Sequence, residues 1–249
     1  MAEHLTLRSA NPALKADTFS RAPSVAGEGA MTLEGTVNKT ALALLILIGT
    51  ASGTWNLGIG DARLWGLIFI SAVGGFIVAM VTVFNQTWAP YTTPVYAALE
   101  GLALGAISLG FELQYPGIVS RAVFLTFGTL GALLAAYRSR LIRPTENFKL
   151  GVVAATGGIA ILYLLSFTVG LFGVSIPLIH SSGALGILFS GFVVVLAALN
   201  LVLDFDFIEE GAERGAPKYM EWYGAFGLLV TLVWLYLEIL HLLAKLKSK

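Results

Sequence analysis

GALGILFSGFVVVLAALNLVLDFDF, residues 183–207, decides what kind of protein this is. Its only charged side chains are Asp204 and Asp206, both at the far end. An apolar run of about 20 residues is long enough to cross the hydrocarbon core of a bilayer as a helix. Six comparable stretches accompany it, at residues 38–55, 64–84, 94–111, 118–137, 150–172 and 222–246. Seven such runs in 249 residues leave little room for anything else. Hydrophobic residues make up 57% of the chain and charged ones 12%, where soluble domains carry roughly 25% charge. The expected fold is therefore an all-α integral membrane domain, because only helices satisfy their own backbone within lipid in a chain of this pattern. All eight prolines fall outside the spans or, for Pro94, at a first position, where no interior backbone donor is lost.

The domain is expected over residues 38–249, preceded by a polar segment, 1–37. Residues 1–30 show no cationic-then-apolar pattern of a cleavable signal and read as loosely ordered. The chain has no cysteine, which removes disulfides and thiolate metal sites, and a net charge of zero. Nucleic-acid binding needs a basic face and is not expected.

Lys and Arg orient the spans. With the N-terminus inside, the inner segments hold Arg8, Lys15, Arg21, Lys39, Arg138, Arg140, Arg143, Lys149, Arg214 and Lys218; the outer ones hold Arg63, Arg121, Lys245, Lys247 and Lys249. The expectation is a multi-pass protein of a cell (inner) membrane, N-terminus cytoplasmic and C-terminus outside. Trp55, Trp65, Trp88 and Trp222 fall near span ends, where amphipathic rings prefer the interface. Gly101 and Gly105 form a GxxxG pair in the third span, and Gly183, Gly186 and Gly191 recur in the sixth. Small residues of this kind let helices approach closely, here within the bundle rather than between copies.

Carboxylates inside the spans are the chemical signal. A charge at the bilayer centre costs at least ~2.5–3.5 kcal/mol and tends to mark an ion or proton path. Glu238 lies between Trp234-Leu-Tyr-Leu and Ile239-Leu, with no basic residue before Lys245. It is either a pathway acid or a neutral, hydrogen-bonded packing residue. Glu100 lies two turns into the third span and is read as pore lining or as a packing hydrogen bond. Asp204 has Asn200 four residues earlier on the same helical face, so the two present one polar strip. Asp206 reads as an exposed helix-end charge or a further pathway acid. Glu209, Glu210, Glu213 and Glu221 read as a solvated acidic loop, with a cation-attracting mouth as the alternative. His241, three residues past Glu238, is a candidate for tuning its proton affinity, or incidental. No enzyme is expected: HExxH, GxSxG and GxxxxGK are all absent, so neither a zinc, a nucleophile-elbow nor a phosphate-loop chemistry is encoded. No cofactor is expected.

Three motifs carry a resemblance: Pro94-Val-Tyr-Ala-Ala-Leu-Glu-Gly-Leu-Ala-Leu-Gly105, Leu203-Asp-Phe-Asp-Phe-Ile-Glu-Glu210 and Trp234-Leu-Tyr-Leu-Glu-Ile-Leu240. Over residues 31–249 the chain resembles the Bax inhibitor / transmembrane Bax inhibitor motif family in its bacterial form, and Asn11-Pro-Ala-Leu14 looks like the leader of one bacterial branch. The resemblance implies six helices around a central seventh. It also implies a pH-sensitive calcium leak controlled by one carboxylate on helix six and one on helix seven, here Asp204 and Glu238, which would coordinate calcium transiently. Other implied partners are the bilayer, protons and another membrane protein, since bacterial relatives include a proposed modulator of a membrane protease. The chain departs from the family pattern in three respects. The helix-seven acid is Glu, 34 residues separate it from Asp204, and no arginine falls in residues 64–84. That separation predicts an axial gap of roughly 6–12 Å between the two acids.

Overall fold

A computed structural model describes residues 29–57, 63–142, 144–173, 181 and 183–248. Among the described residues, seven helices are long and apolar enough to cross a membrane. They are α1 (Leu33–Trp55), α2 (Arg63–Phe84), α3 (Ala89–Gln114), α4 (Ile118–Arg138), α5 (Glu146–Gly170), α6 (Ala184–Glu213) and α7 (Met220–Lys247). The expected all-α, seven-span fold is borne out. The polar segment 1–28, Arg143 of the basic loop, and the side chains of Arg63 and Trp65 lie outside the described residues.

Helix ends follow local chemistry. Thr32 caps α1 by accepting from Gly35 N, and Thr145 caps α5 by accepting from Phe148 N. These caps satisfy donors that a helix start leaves open. They also start α1 and α5 several residues before the apolar run begins. Pro94 corrects the sequence reading, because α3 begins at Ala89 and Pro94 lies inside it. Placed in the second turn, it forfeits one backbone bond close to the helix end rather than at mid-span, where the cost is highest.

The described residues fall into two compact units, and α6 and α7 each contribute to both. One unit comprises residues 29–116 with 207–230. There α3 packs against both α1 and α2. The α1–α3 contact is made at backbone level: a Cβ on Gly101 would strike Thr50 Oγ1 and Leu47 O, and one on Gly105 would strike Ala51 O. The GxxxG pair therefore works inside the bundle. Gly224 of α7 is pressed between Thr36 and Ile208, each 3.2 Å from where its Cβ would lie. Tyr96 meets Phe226 edge-on at 5.0 Å between ring centres, the favoured aromatic geometry.

The other unit comprises residues 117–206 with 231–248. Its core joins Val152 and Ile159 of α5 to Val193, Leu196 and Leu203 of α6, with Tyr163 and Trp234 packed against them. Gly183, just before α6, and Gly191 within it have no heavy atom of the described residues within 4 Å of an added Cβ. Only Gly186 of that trio is crowded, by Ser181.

Burial is uneven in a way that matters for function. In its most apolar window α7 is 67% buried, against 11–44% for the other six. Large side chains such as Phe69, Phe76, Phe124 and Leu188 stay exposed, as lipid-facing positions require when no water has to be excluded.

Overpacking the α1–α3 contact is the direct check. Gly105→Val is expected to destabilise the protein by at least about 1–3 kcal/mol, whereas Gly128→Val, where space is open, leaves it near wild type. Thermal unfolding in detergent distinguishes them.

Candidate functional site

Glu238 is 5% exposed, in the most buried helix. Its Oε1 accepts from Tyr163 Oη at 2.8 Å and from Trp234 Nε1 at 3.2 Å. Trp234 stands one turn earlier on α7, so its indole reaches the carboxyl along the same helical face. Tyr163 comes from α5 and ties the two helices together through the acid. The sequence reading missed it, although a tyrosine in the middle of an apolar span carries a polar tip that needs a partner. His241 is exposed.

Asp204 is wholly buried and Asn200 is 1% exposed. The Asn200 amide donates to Leu196 O at 2.9 Å and to Thr156 Oγ1 of α5 at 2.8 Å. Because a backbone carbonyl only accepts, the nitrogen end must face it, which settles the amide orientation. Asn200 Oδ1 is buried with no hydrogen-bond partner. A bare buried acceptor costs about 1–3 kcal/mol.

Asp204 and Glu238 are not level. Lys245 Nζ donates to Ser190 Oγ at 2.7 Å and to Gly186 O at 3.2 Å, which sets the antiparallel register of α7 on α6. In that register Glu238 lies beside the turn around Leu196. Asp204 is about 10–13 Å further along the axis at 1.5 Å per residue. The offset counted from this register, like that counted from the sequence, sets the two acids apart along the helix axis.

Asp206 is an ion-pair member rather than an exposed end charge. Its Oδ2 lies 2.6 Å from Lys149 Nζ, and that lysine, 5% exposed, also approaches Glu146 Oε1 at 3.4 Å. Lys149, counted from the sequence among the inner-segment cations, lies within α5 and pairs across to α6. Glu100 is half-buried, in the unit of α1–α3, with its Oε2 3.6 Å from where a Cβ on Gly75 would stand.

Glu221 overturns the acidic-loop reading for its position. It is wholly buried, forms an ion pair with Lys39 of α1, and accepts from Thr32 N and Oγ1, both at 2.9 Å. Its carboxylate rests directly on Gly35, where any side chain would collide. Beside it the chain pairs in extended fashion: Met31 N donates to Ala216 O at 2.6 Å and Lys218 N to Gly29 O at 2.9 Å. Removing one partner of a buried ion pair costs about 3–5 kcal/mol, so this clamp ties the start of α1 firmly to the start of α7. Glu209 and Glu210 belong to the last turns of α6, half-buried, with Glu210 paired to Arg214.

Calcium takes six to eight oxygen ligands. Among the described residues no group of three or more His, Cys, Asp or Glu is placed to hold a metal. Tyr163 and Trp234 present donors to Glu238.

No curated protein and no solved structure shows a significant match to the chain. A family model described as Bax inhibitor 1 like matches residues 11–248. With nearly the whole length matched and seven apolar helices among the described residues, this multi-pass membrane protein belongs to the Bax inhibitor 1 like family.

Proposed function

We propose that the protein is a pH-sensitive cation leak, with calcium as the transported ion and the carboxylates of α6 and α7 as its gate. Membership of the family supports a membrane regulator or channel. The observation that carries the finer reading is Glu238. A carboxyl sits deep in the most buried span, held only by an O–H and an N–H among the contacts resolved for its side chain.

In this reading the closed state is the hydrogen-bonded one. Tyr163 and Trp234 hold Glu238 and, through it, α5 against α7. Ionisation places a charge in low dielectric, where it attracts a cation strongly. The phenol oxygen of Tyr163 can turn from donor to ligand, but an indole N–H cannot. A cation arriving at Glu238 therefore displaces the Trp234 indole, and by taking the Tyr163 oxygen as a ligand it breaks the hydrogen bond that ties α5 to α7. Asp204, some two turns away along the axis, acts as a separate step in a relay and not as half of a dyad. Lower pH protonates the acids and suppresses the leak. Asn200 and Asp206 flank Asp204 on α6, and Glu100 provides a carboxyl on α3. In the bacterial inner membrane, with the N-terminus cytoplasmic, calcium would pass between outside and cytoplasm.

A second reading, a regulator of another membrane protein such as a protease, is favoured by one observation. Residues 29–31 pair with residues 216–218, so a partner engaging the N-terminal segment pulls on the α6–α7 connection.

Calcium flux into liposomes holding the purified protein tests the leak, scanned from mildly acidic to mildly alkaline buffer. Wild type is expected to conduct more as pH rises. Glu238→Gln and Asp204→Asn should each lower flux about tenfold, the equivalent of ~1.4 kcal/mol, and flatten the pH response; flux and pH response both unchanged would refute the gate. Tyr163→Phe removes the tether without touching the acid, so basal flux at acidic pH should rise while the alkaline plateau stays. Deleting residues 1–28 should leave flux intact under the leak reading, whereas the regulator reading expects loss of co-purifying membrane partners.

A further inference from the structure

We propose that the turn after α4 docks the headgroup of an anionic phospholipid, with Arg140 as its phosphate ligand, Arg138 beside it and Leu141 set among the acyl chains. The turn is ordinary in its hydrogen bonds and unusual in its residues. Leu141 N donates to Ala136 O and Arg140 N to Tyr137 O, both at 2.9 Å. That pair of bonds closes a helix by placing one residue in the left-handed region, and the residue is usually glycine. Here it is Arg140, at φ 58°, the sole non-glycine residue with positive φ among the described residues. A side chain in this conformation crowds the following carbonyl, and such strain gathers where a position is used. The next residue commonly packs back onto the helix. Leu141 is instead 82% exposed.

Two structural accounts of an arginine here fall short. A cation near a helix C-terminus complements the macrodipole, but exposed Arg138 in the last turn does so without strain. Loop cations also bias orientation in the membrane. That bias counts charge over the loop and would be served as well at neighbouring Ser139, whose backbone is unstrained. Neither account asks for a cation at residue 140. Among the described residues no carboxylate pairs with Arg138 or Arg140; Glu146, the next acid along the chain, approaches Lys149. A guanidinium takes phosphate oxygens through two parallel N–H bonds. The adjoining leucine asks for an apolar neighbour, which a soluble phosphate does not supply. A phospholipid at the end of a membrane span supplies both. Two exposed cations favour an anionic headgroup over a zwitterionic one, whose own cation would be repelled. The inference depends on neither the leak nor the regulator reading.

Thermal unfolding of the full-length protein in nanodiscs tests it, in phosphatidylcholine alone and in phosphatidylcholine mixed with phosphatidylglycerol. Wild type is expected to unfold a few degrees higher in the mixed bilayer, by a difference that shrinks at high salt. Arg140→Gly should unfold at least as high as wild type in phosphatidylcholine, because glycine accepts the left-handed backbone, and should lose the lipid difference. A merely structural arginine would leave that difference standing. Arg121→Gln, an exposed position toward the other end of α4, should keep it. Native mass spectrometry of protein released from the mixed nanodiscs should show fewer phosphatidylglycerol molecules retained on Arg140→Gly than on wild type. Identical unfolding of wild type in the two bilayers would leave the turn to an acidic protein surface, and the proposal falls. It falls equally if Arg140→Gly keeps the full difference, or if Arg121→Gln loses as much of it. Glycerol phosphate added to the phosphatidylcholine nanodiscs separates the two sources of phosphate: if it reproduces the stabilisation, the ligand is a soluble anion and the lipid site is refuted. The wild-type comparison stands even where a variant fails to fold.

Discussion

A charged side chain carried into a low-dielectric interior has to find compensation inside the protein, and the helices here are joined where it does. Lys39 of α1 meets Glu221 of α7. Lys149 of α5 meets Asp206 of α6. Glu238 of α7 meets Tyr163 of α5. Each link connects helices that apolar packing alone would leave free to slide, because lipid tails compete equally well for apolar surface. Glycine contacts such as Gly101 and Gly105 on α1 set how near helices come, and polar links set their register.

Much of this architecture was legible in the sequence because span length and hydropathy are local properties. All seven spans were found, and Gly101 and Gly105 were correctly read as internal packing residues. What escaped depends on which residue meets which. Lys39 and Lys149 look like loop cations when only position relative to an apolar run is considered, yet both are ion-paired within helices that begin earlier than the run. Glu221 looked like one of four loop acids, and only its burial against Thr32 and Gly35 separates it from exposed Glu213. Pro94 stands at a span start in the sequence reading, whereas the five residues before it are already helical.

The candidate site was half legible. Glu238, Asp204 and Asn200 stand out as polar groups in apolar runs, and their burial agrees with that prominence. Their partners did not stand out. Tyr163 and Thr156 are ordinary residues of α5, and nothing in one sequence says that α5 is the helix facing both acids. The distance between the acids was readable from residue counting alone, since a helical hairpin converts sequence separation into axial offset. That offset gives the two acids separate surroundings, with Glu238 facing the Tyr163 and Trp234 donors.

The clamp at the start of α1 has a consequence for how the chain is made. Lys39 and Glu221 are separated by 182 positions, so among the described helices the earliest made is joined by this contact to one made much later. Until residue 221 has been synthesised, Lys39 has no Glu221 to neutralise it, and Thr32 has no carboxylate to receive its two donors. The contact therefore closes only once α7 has begun to be made, and a product cut short before residue 220 lacks the carboxylate that fixes the start of α1.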